Sequence, residues 1–404
     1  MATDTTTGNG ITEKSIFPVL LFNLVIYLCI GFPMAVIPIY VHNVLHYSAV
    51  MAGLAISIQY IATFATRPSA GKISDTTGPK TSVSYGLLIG CITGILVILS
   101  TTGIGSATLS LLILLLSRLA LGWAESWTTT SVIVWNIHRA GANNTSRVIS
   151  WNGITSYGGI ALGATIGELL SGALGAQYGL MVVGGIILAM SAICWFICRT
   201  YTAVKPTPTE GPSLSFLKVM RMVMPHGSVL VCGSIGFSSI WSYMALYFSY
   251  EHWGGAAIGL FLFGVAFIFV RLIFGKQVPK RGGAIVTMIS MAVEALGLLI
   301  ICLIPNPIAA DIGAFLTGAG FSLVFPGLGT LAVEHVGQEH KGTAVGCFAL
   351  YFDIAVAISA PLLGFIIGHA GFRPLYLIAT VIPIIGIVIV KKALMSNNGP
   401  AHHV

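Results

Sequence analysis

Five ionisable side chains lie inside long apolar segments of this chain, namely Arg118, Glu125, Glu168, Glu294 and Asp353. Glu168 is near the outer end of its segment, where a side chain that reaches the interface is favoured over chemistry. A charged group at the centre of a bilayer costs roughly 2.5–3.5 kcal/mol on insertion scales, so such groups are expected to face water or one another. Arg118 and Glu125 are seven residues apart in one predicted helix. They therefore share a face, about 10 Å apart along the axis. A carboxyl group balanced between desolvation and a nearby cation is suited to bind and release a proton.

We assign Arg118, Glu125, Glu294 and Asp353 to proton coupling, with Glu125 or Asp353 as the proton site and Arg118 tuning it. Three of the four have a structural alternative. Arg118 could instead join helix ends to backbone carbonyl groups, and Glu125 could bond a neighbouring Ser or Trp. Glu294 could face an adjacent helix. Asp353 lies near the middle of its apolar segment, where a proton-binding role is favoured.

Composition identifies the environment of these residues. The chain has 404 residues, of which 56% are apolar and 8% charged, against about 25% charged in an average soluble domain. So little polar material cannot cover a soluble fold, and the same composition excludes a disordered chain. The net charge of +7 comes from basic residues in short loops, which argues against a nucleic-acid partner. We therefore predict an all-α polytopic membrane protein.

Twelve apolar segments are long enough to cross a bilayer as helices. The predicted spans are 16–41, 49–66, 81–101, 108–134, 148–172, 178–198, 226–248, 255–274, 283–304, 308–332, 343–367 and 375–393.

The longest connection predicts two domains of six spans each. Residues 1–198 would form the N-terminal helix bundle, 199–225 a cytoplasmic linker and 226–404 the C-terminal bundle. With both termini in the cytoplasm, 17 of the 19 Lys and Arg residues fall in cytoplasmic segments, as the positive-inside rule requires. At the membrane interfaces we expect four aromatic residues, Tyr40, Tyr47, Trp253 and Tyr376.

An internal repeat relates the two halves. The segment from Arg67 to Lys72 follows span 2, and a matching segment from Arg271 to Lys276 follows span 8, 204 residues later. Residues 163–167 match 360–364 with an offset of 197. Parallel six-span repeats of this kind are typical of secondary transporters.

The loop after span 2 has the pattern Gly71-x-x-x-Asp75-x-x-Gly78-x-Lys80. It resembles the loop signature of major facilitator transporters. The resemblance implies a twelve-span major facilitator fold of two pseudo-symmetric six-helix bundles. It also implies a cytoplasmic gate, made here by Arg67, Gly71, Asp75, Gly78, Lys80, Arg271 and Gly275. In the second half Pro279 occupies the position of Asp75 in the first. Any contact between charged residues that closes the gate should therefore be weaker in the second half.

Two further patterns bear on coupling and direction. Arg118-x-x-x-Gly122 resembles the span 4 signature of proton-coupled members of the family. Gly159-x-x-x-Gly163-Ala164-x-x-Gly167 is similar to the antiporter signature, with Ala164 in place of its proline. The first 170 residues resemble the arabinose-efflux-like exporters of bacterial inner membranes.

The resemblance implies a secondary active transporter that exports a small organic solute in exchange for protons by alternating access. Its partners would be the solute, protons and the lipid bilayer. It would need no cofactor beyond the proton gradient and no metal, and it would act as a monomer in the bacterial inner membrane. Proton-coupled uptake of a small metabolite is the alternative. A membrane enzyme is disfavoured, because the cytoplasmic histidines His138, His335 and His340 do not have the spacing of metal ligands.

In this family spans 1, 4, 7 and 10 line the cavity. Aromatic residues in span 7 would suit a ring-bearing solute, although packing inside the bundle is the alternative for each. Our candidates for substrate contact are Asn23, Tyr27, Gln59, Asn152, Tyr157, Ser239, Trp241, Tyr243 and Phe325.

Overall fold

The computed structural model describes residues 8–102, 105–141, 145–203, 216–336 and 341–395. This part of the chain is helical throughout, with no strand. Two π-helical turns, Tyr40–Val44 and Val390–Met395, extend the first and last helices. The helices are α1 (Gly8–Ile39), α2 (Ala49–Thr76), α3 (Pro79–Thr101), α4 (Ala107–Ala140), α5 (Thr145–Leu174), α6 (Ala176–Thr200), α7 (Phe216–Tyr250), α8 (Ala256–Phe274), α9 (Gln277–Arg281), α10 (Gly283–Leu303), α11 (Pro307–Phe321), α12 (Val324–Val336), α13 (Lys341–Ala370) and α14 (Phe372–Ile389).

Eleven helical segments in the described ranges are long and apolar enough to cross a membrane. The remaining predicted span, 148–172, coincides with α5, which has 30 residues. The prediction of an all-α polytopic membrane protein is therefore confirmed. Span 10 differs from expectation, because it is interrupted between α11 and α12 rather than continuous.

The described residues form two units. The first contains residues 8–36 and 61–203, and the second contains 37–60, 216–336 and 341–395. The end of α1 and the beginning of α2 thus group with the later helices. In the second unit the Tyr243 hydroxyl donates to the carbonyl oxygen of Ala360, and the carbonyl oxygen of Ala49 lies 3.3 Å away. One phenol therefore joins α7 to both α2 and α13.

Helix packing follows the same order in the two units. In the first unit α3 packs against α4 and α6. In the second unit α10 packs against α11 and α14, which are the corresponding helices of the repeat. The internal repeat therefore extends from short sequence motifs to tertiary packing.

Glycines let α5 approach α1 closely. Gly159, Gly163 and Gly167 recur every four residues on one face of α5. A Cβ atom at Gly163 would lie 2.6 Å from the carbonyl oxygen of Leu28, and one at Gly167 would overlap the carbonyl oxygen of Phe32. Small residues with this spacing let membrane helices pack backbone to backbone. In this structure the antiporter-like pattern is thus a helix-packing surface.

The interruption of span 10 has a local cause. Pro326 has no N–H group, so the carbonyl group of Ser322, four residues earlier, loses its helical partner. Nη2 of Arg271 in α8 donates to that carbonyl oxygen at 2.8 Å. The Ser322 hydroxyl donates to the carbonyl oxygen of Phe267 at 2.6 Å. Arg271, predicted as a gate residue, therefore joins α8 to the break between α11 and α12.

Two of the four aromatic residues expected at membrane interfaces lie inside the protein. Tyr40 is 2% exposed and Tyr376 is 1% exposed. The Tyr376 ring packs 5.4 Å from the Tyr247 ring. The interfacial prediction is wrong for both tyrosines, because a position near the end of a span does not tell which way the side chain points.

Replacing Gly167 with alanine is expected to destabilise the protein by about 1–3 kcal/mol. The reason is the overlap with the Phe32 backbone, which cannot move aside as a flexible side chain can. Gly172→Ala in the same helix is the matched control, since a Cβ atom there meets nothing within 4 Å. Thermal unfolding in detergent measures both variants, and equal midpoints would contradict the packing argument.

Replacing Arg271 with methionine is expected to destabilise the protein by about 1–3 kcal/mol, because the Ser322 carbonyl group loses its charged donor. The loss should be smaller in a Pro326→Ala background, where the new N–H group can bond that carbonyl. A double-mutant cycle of thermal unfolding midpoints measures the coupling, with exposed Arg281→Met as control. Additive effects of the two substitutions would argue against the proposed bond.

Candidate functional site

A line of polar residues runs along α4, and we call these four residues, Arg118, Glu125, Thr129 and Asn136, the α4 stripe. Because an α-helix turns about 100° per residue, all four lie within about 20° of one direction. The line is about 27 Å long, close to the roughly 30 Å of a hydrocarbon core. All four side chains are buried. The α4 stripe is therefore a line of spaced polar residues inside the protein, almost as long as the membrane core is thick.

Glu125 meets a hydroxyl group that can serve it in either protonation state. Oγ1 of Thr63, from α2, lies 3.1 Å from Oε2 of Glu125 and 3.2 Å from the carbonyl oxygen of Gly122. When Glu125 is ionised, the hydroxyl can donate to its carboxylate. When Glu125 is protonated, the same oxygen can accept from the acid and donate to the Gly122 carbonyl. Glu125 can thus bind and release a proton while its carboxyl group keeps a hydrogen bond to Thr63.

Asn136, toward the other end of the α4 stripe, has unused hydrogen-bonding capacity. Its side chain is buried, and neither amide atom has a hydrogen-bond partner among the described residues. Leaving a buried polar group unsatisfied costs about 1–3 kcal/mol. The adjacent Trp135 packs between Phe22 and Tyr201, with ring centroids 6.2 and 6.0 Å away. Asn136 is therefore suited to bind water or a polar solute beside this aromatic cluster.

Two predicted substrate contacts are brought together between α1 and α5. Nδ2 of Asn23 lies 2.9 Å from the hydroxyls of Thr155 and Ser156, and 3.2 Å from the carbonyl oxygen of Asn152. The side-chain oxygens of Asn23 and Asn152 have no partner within the described ranges. These two asparagines therefore keep acceptor oxygens available for a ligand with hydrogen-bond donors.

The remaining candidates of the first unit lie on the same two helices. Tyr27 of α1 is half-buried, and its Cβ lies against Gly159, where an added Cβ would be 2.9 Å away. Tyr157 of α5 is also half-buried.

The candidates of the second unit are mainly engaged in packing. The Trp241 ring lies 5.3 Å from the Phe263 ring, and the Phe325 ring lies 5.0 Å from that of Phe348. The Ser239 hydroxyl donates to its own helix at Gly236, at 2.8 Å. The Tyr243 hydroxyl is used in the contact with α13 described above, and Gln59 of α2 is fully buried. Their roles in substrate contact stay predictions.

The four residues assigned to proton coupling fall two in each unit. Arg118 and Glu125 occupy the α4 stripe. Asp353 is buried in α13 next to Phe352, whose ring packs 5.3 Å from that of Phe237. Glu294 is fully buried in α10. In the first unit a buried arginine and a buried glutamate therefore lie on one helix face, whereas the second unit contains two buried acids.

Two of the gate residues, Lys80 and Arg271, bind backbone carbonyl groups through their side chains. Gly78 has φ +97°, in the region that favours glycine, and precedes α3. Nζ of Lys80 donates to the carbonyl oxygen of Arg199 at 3.1 Å and to that of Tyr201, at the end of α6. A Cβ atom at Gly71 would meet nothing within 4 Å.

Three further gate positions complete this motif. Arg67 is half-buried on α2, and Gly275 ends α8, its N–H bonding the Arg271 carbonyl at 3.1 Å. The Asp75 side chain lies outside the described residues.

Sequence analysis missed Thr63, Thr129 and Asn136. The spacing of Thr129 and Asn136 after Glu125 could have revealed them, because all lie on the face of Arg118. Thr63 could not be found this way, since its contact joins two helices. Among the described residues, no three His, Cys, Asp or Glu side chains converge as a metal site would require.

Comparisons with known proteins identify the family. The model of the Major Facilitator Superfamily matches residues 19–360 and 280–403. An uncharacterized MFS-type transporter of Burkholderia pseudomallei (strain 1106a) is 39% identical over 396 residues, covering 96% of each chain. Another, of Pseudomonas aeruginosa (strain UCBPP-PA14), is 41% identical over 380 residues, covering 93% of this chain and 92% of its own.

Solved structures show the same fold. The crystal structure of the nucleoside transporter NupG superposes with a TM-score of 0.73 at 14% identity, over 93% of this chain and 98% of its own. The repeat, the helix packing and these matches agree. The chain belongs to the Major Facilitator Superfamily of membrane transporters.

Proposed function

We propose that this protein is a proton-coupled secondary transporter that exports a small organic solute across the bacterial inner membrane by alternating access. Membership of the family establishes transport, and the proton coupling, direction and solute are the proposal. The observation that carries it is the α4 stripe, with Glu125 bonded to Thr63. Such a line of buried polar groups inside apolar helices is costly unless it has a function.

Proton binding is assigned first to Glu125. Thr63 offers it a hydrogen bond in both protonation states. Arg118 lies about 10 Å along the same face, two helical turns away. A positive charge on the same face favours the ionised carboxylate. Asp353 is the corresponding acid of the second unit, and protons are the only energy source this mechanism needs.

We assign solute binding to asparagine side chains of the first unit. The acceptor oxygens of Asn23 and Asn152, with the amide of Asn136, suit a neutral or polar molecule that carries hydrogen-bond donors. Tyr27 and Tyr157 are the aromatic candidates on the same helices. In the second unit Gln59, Ser239, Trp241, Tyr243 and Phe325 remain candidate contacts.

Direction and topology rest on the sequence. Export is favoured by the resemblance of the Gly159 to Gly167 segment to the antiporter signature. The distribution of Lys and Arg favours cytoplasmic termini. We propose a monomer, since each protein of this layout contains both halves of the repeat.

Glu125→Gln and Asp353→Asn are expected to reduce proton-driven transport roughly tenfold or more, which corresponds to about 1.4 kcal/mol in the barrier. Neither amide can exchange a proton in the physiological range. Everted membrane vesicles, tested for proton flux against a panel of solutes, provide the measurement, and Glu168→Gln is the control carboxylate. If both variants keep full proton-driven transport, the coupling assignment fails.

Thr63→Val is expected to lower proton-driven transport several-fold, because Glu125 loses the hydroxyl that bonds it in both states. Thr66→Val is the matched control, since the Thr66 hydroxyl donates within its own helix to the carbonyl of Ala62 at 2.7 Å. Equal activity of the two variants in the vesicle assay would show that the Thr63 contact has no part in coupling.

The direction has its own test in intact cells. Export predicts that a protonophore abolishes outward transport and raises the amount of solute retained. Alkalinisation of the medium on adding solute would instead indicate proton-coupled uptake.

A further inference from the structure

Glu294 lies in an unusual notch in the second unit. Its side chain is 0% exposed. The carboxyl group rests on two glycines of α7, where a Cβ atom at Gly236 would overlap Oε1 and one at Gly233 would lie 3.5 Å from Oε2. Neither carboxyl oxygen has a hydrogen-bond partner among the described residues. The notch thus accepts the carboxyl group because Gly236 lacks a side chain.

The notch adjoins the break in span 10. A Cβ atom at Gly320 of α11 would overlap the backbone nitrogen of Glu294 and lie 2.6 Å from the carbonyl oxygen of Ser290. Val324, the first residue of α12, completes the notch, with Cγ1 3.2 Å from the Cβ position of Gly233. The carboxyl group therefore sits where α7, α10 and the α11/α12 break meet.

The charge state of Glu294 follows from this environment. An ionised carboxylate buried without a donor or a cation costs several kcal/mol, whereas the neutral acid costs far less. From α7 the titratable neighbour is the thiol of Cys232, which interacts electrostatically with Glu294 and supplies no positive charge.

The titratable groups on the other packed helices contact other residues or are exposed. Asp311 of α11 lies against Gly259. Tyr376 of α14 packs on Tyr247, and the Arg373 backbone accepts from Cys302, about 12 Å along α10 from Glu294. On α12, Glu334 and His335 are exposed. Lys391 and Lys392, in the turn that follows α14, are exposed as well.

We propose that Glu294 is a further proton-binding site, which holds its proton while α7 packs on the α11/α12 break and releases it when that packing opens. On release the acid O–H bond breaks, the proton passes to entering water and the carboxylate becomes hydrated. Ionised Glu294 cannot return to the buried notch without taking up a proton. Proton occupancy is thereby linked to the conformation of span 10. This role in a cycle rests on the proposed proton-coupled transport.

Infrared spectroscopy of the full chain in liposomes at pH 7 tests the protonation itself. The wild-type spectrum is expected to contain a C=O band of a neutral carboxylic acid in apolar surroundings, which shifts in D2O. The band should be lost in Glu294→Gln and kept in Glu334→Gln, which changes an exposed carboxylate of α12. Glu294→Asp, with a shorter acid, should move the band if Glu294→Gln does not fold. Identical wild-type and Glu294→Gln spectra in this region would overturn the proposal.

A steric pair of variants tests the notch. Gly236→Ala should displace the carboxyl group, weaken the band and lower the unfolding temperature. Gly233→Ala, whose nearest contact is 3.2 Å, should do neither. Glu294→Ala should restore much of the stability lost in Gly236→Ala, because it removes the overlapping atoms. Equal effects of the two alanines on the band would contradict a site formed by Gly236.

The transport assay separates this inference from the proposed function. Full proton-driven transport by Glu294→Gln would overturn its role in the cycle, whatever Glu125→Gln does. If Glu125→Gln keeps transport while the infrared band of Glu294 is present, the first assignment fails and the proton site at Glu294 remains.

Discussion

The structure is governed by the cost of an unsatisfied polar group in apolar surroundings. Water cannot compensate such a group inside the hydrocarbon region, so each one needs a partner within the protein or a wet site. The break in span 10 meets this requirement through Arg271, which bonds the carbonyl group of Ser322. Glu125 meets it through Thr63. Asn136 and Glu294 lack such partners among the described residues, and both mark places where function is expected.

Glycines determine how closely the helices pack around these polar groups. At Gly163 and Gly167 they bring α5 against the backbone of α1, and at Gly320 they bring α11 against α10. Close backbone contact of this kind leaves no space for a side chain to adapt. The polar groups are consequently held by rigid contacts, and at Gly236 the missing side chain itself creates the space that a carboxyl group occupies.

The two units repeat their packing and differ in their chemistry. The first unit carries a base and an acid on one face of α4, whereas the second buries Asp353 and Glu294 on separate helices. The loop motifs diverge as well. Lys80 binds carbonyl groups at the end of α6, while Arg271, in the repeated motif, binds the break in a neighbouring span. The repeat thus supplies a common scaffold on which each unit has acquired its own polar contacts.

The sequence alone determined the helical membrane class, the family and the residues with buried charge. These follow from long apolar runs and local spacing, which depend only on the order of residues along the chain. The α4 stripe was also present in that spacing, as was Pro326 in span 10. The tertiary structure decided the Thr63 contact of Glu125, the glycine notch of Glu294 and the inward orientation of Tyr376. Each of these depends on which helix lies beside another and how it is rotated, and a one-dimensional pattern does not contain that information.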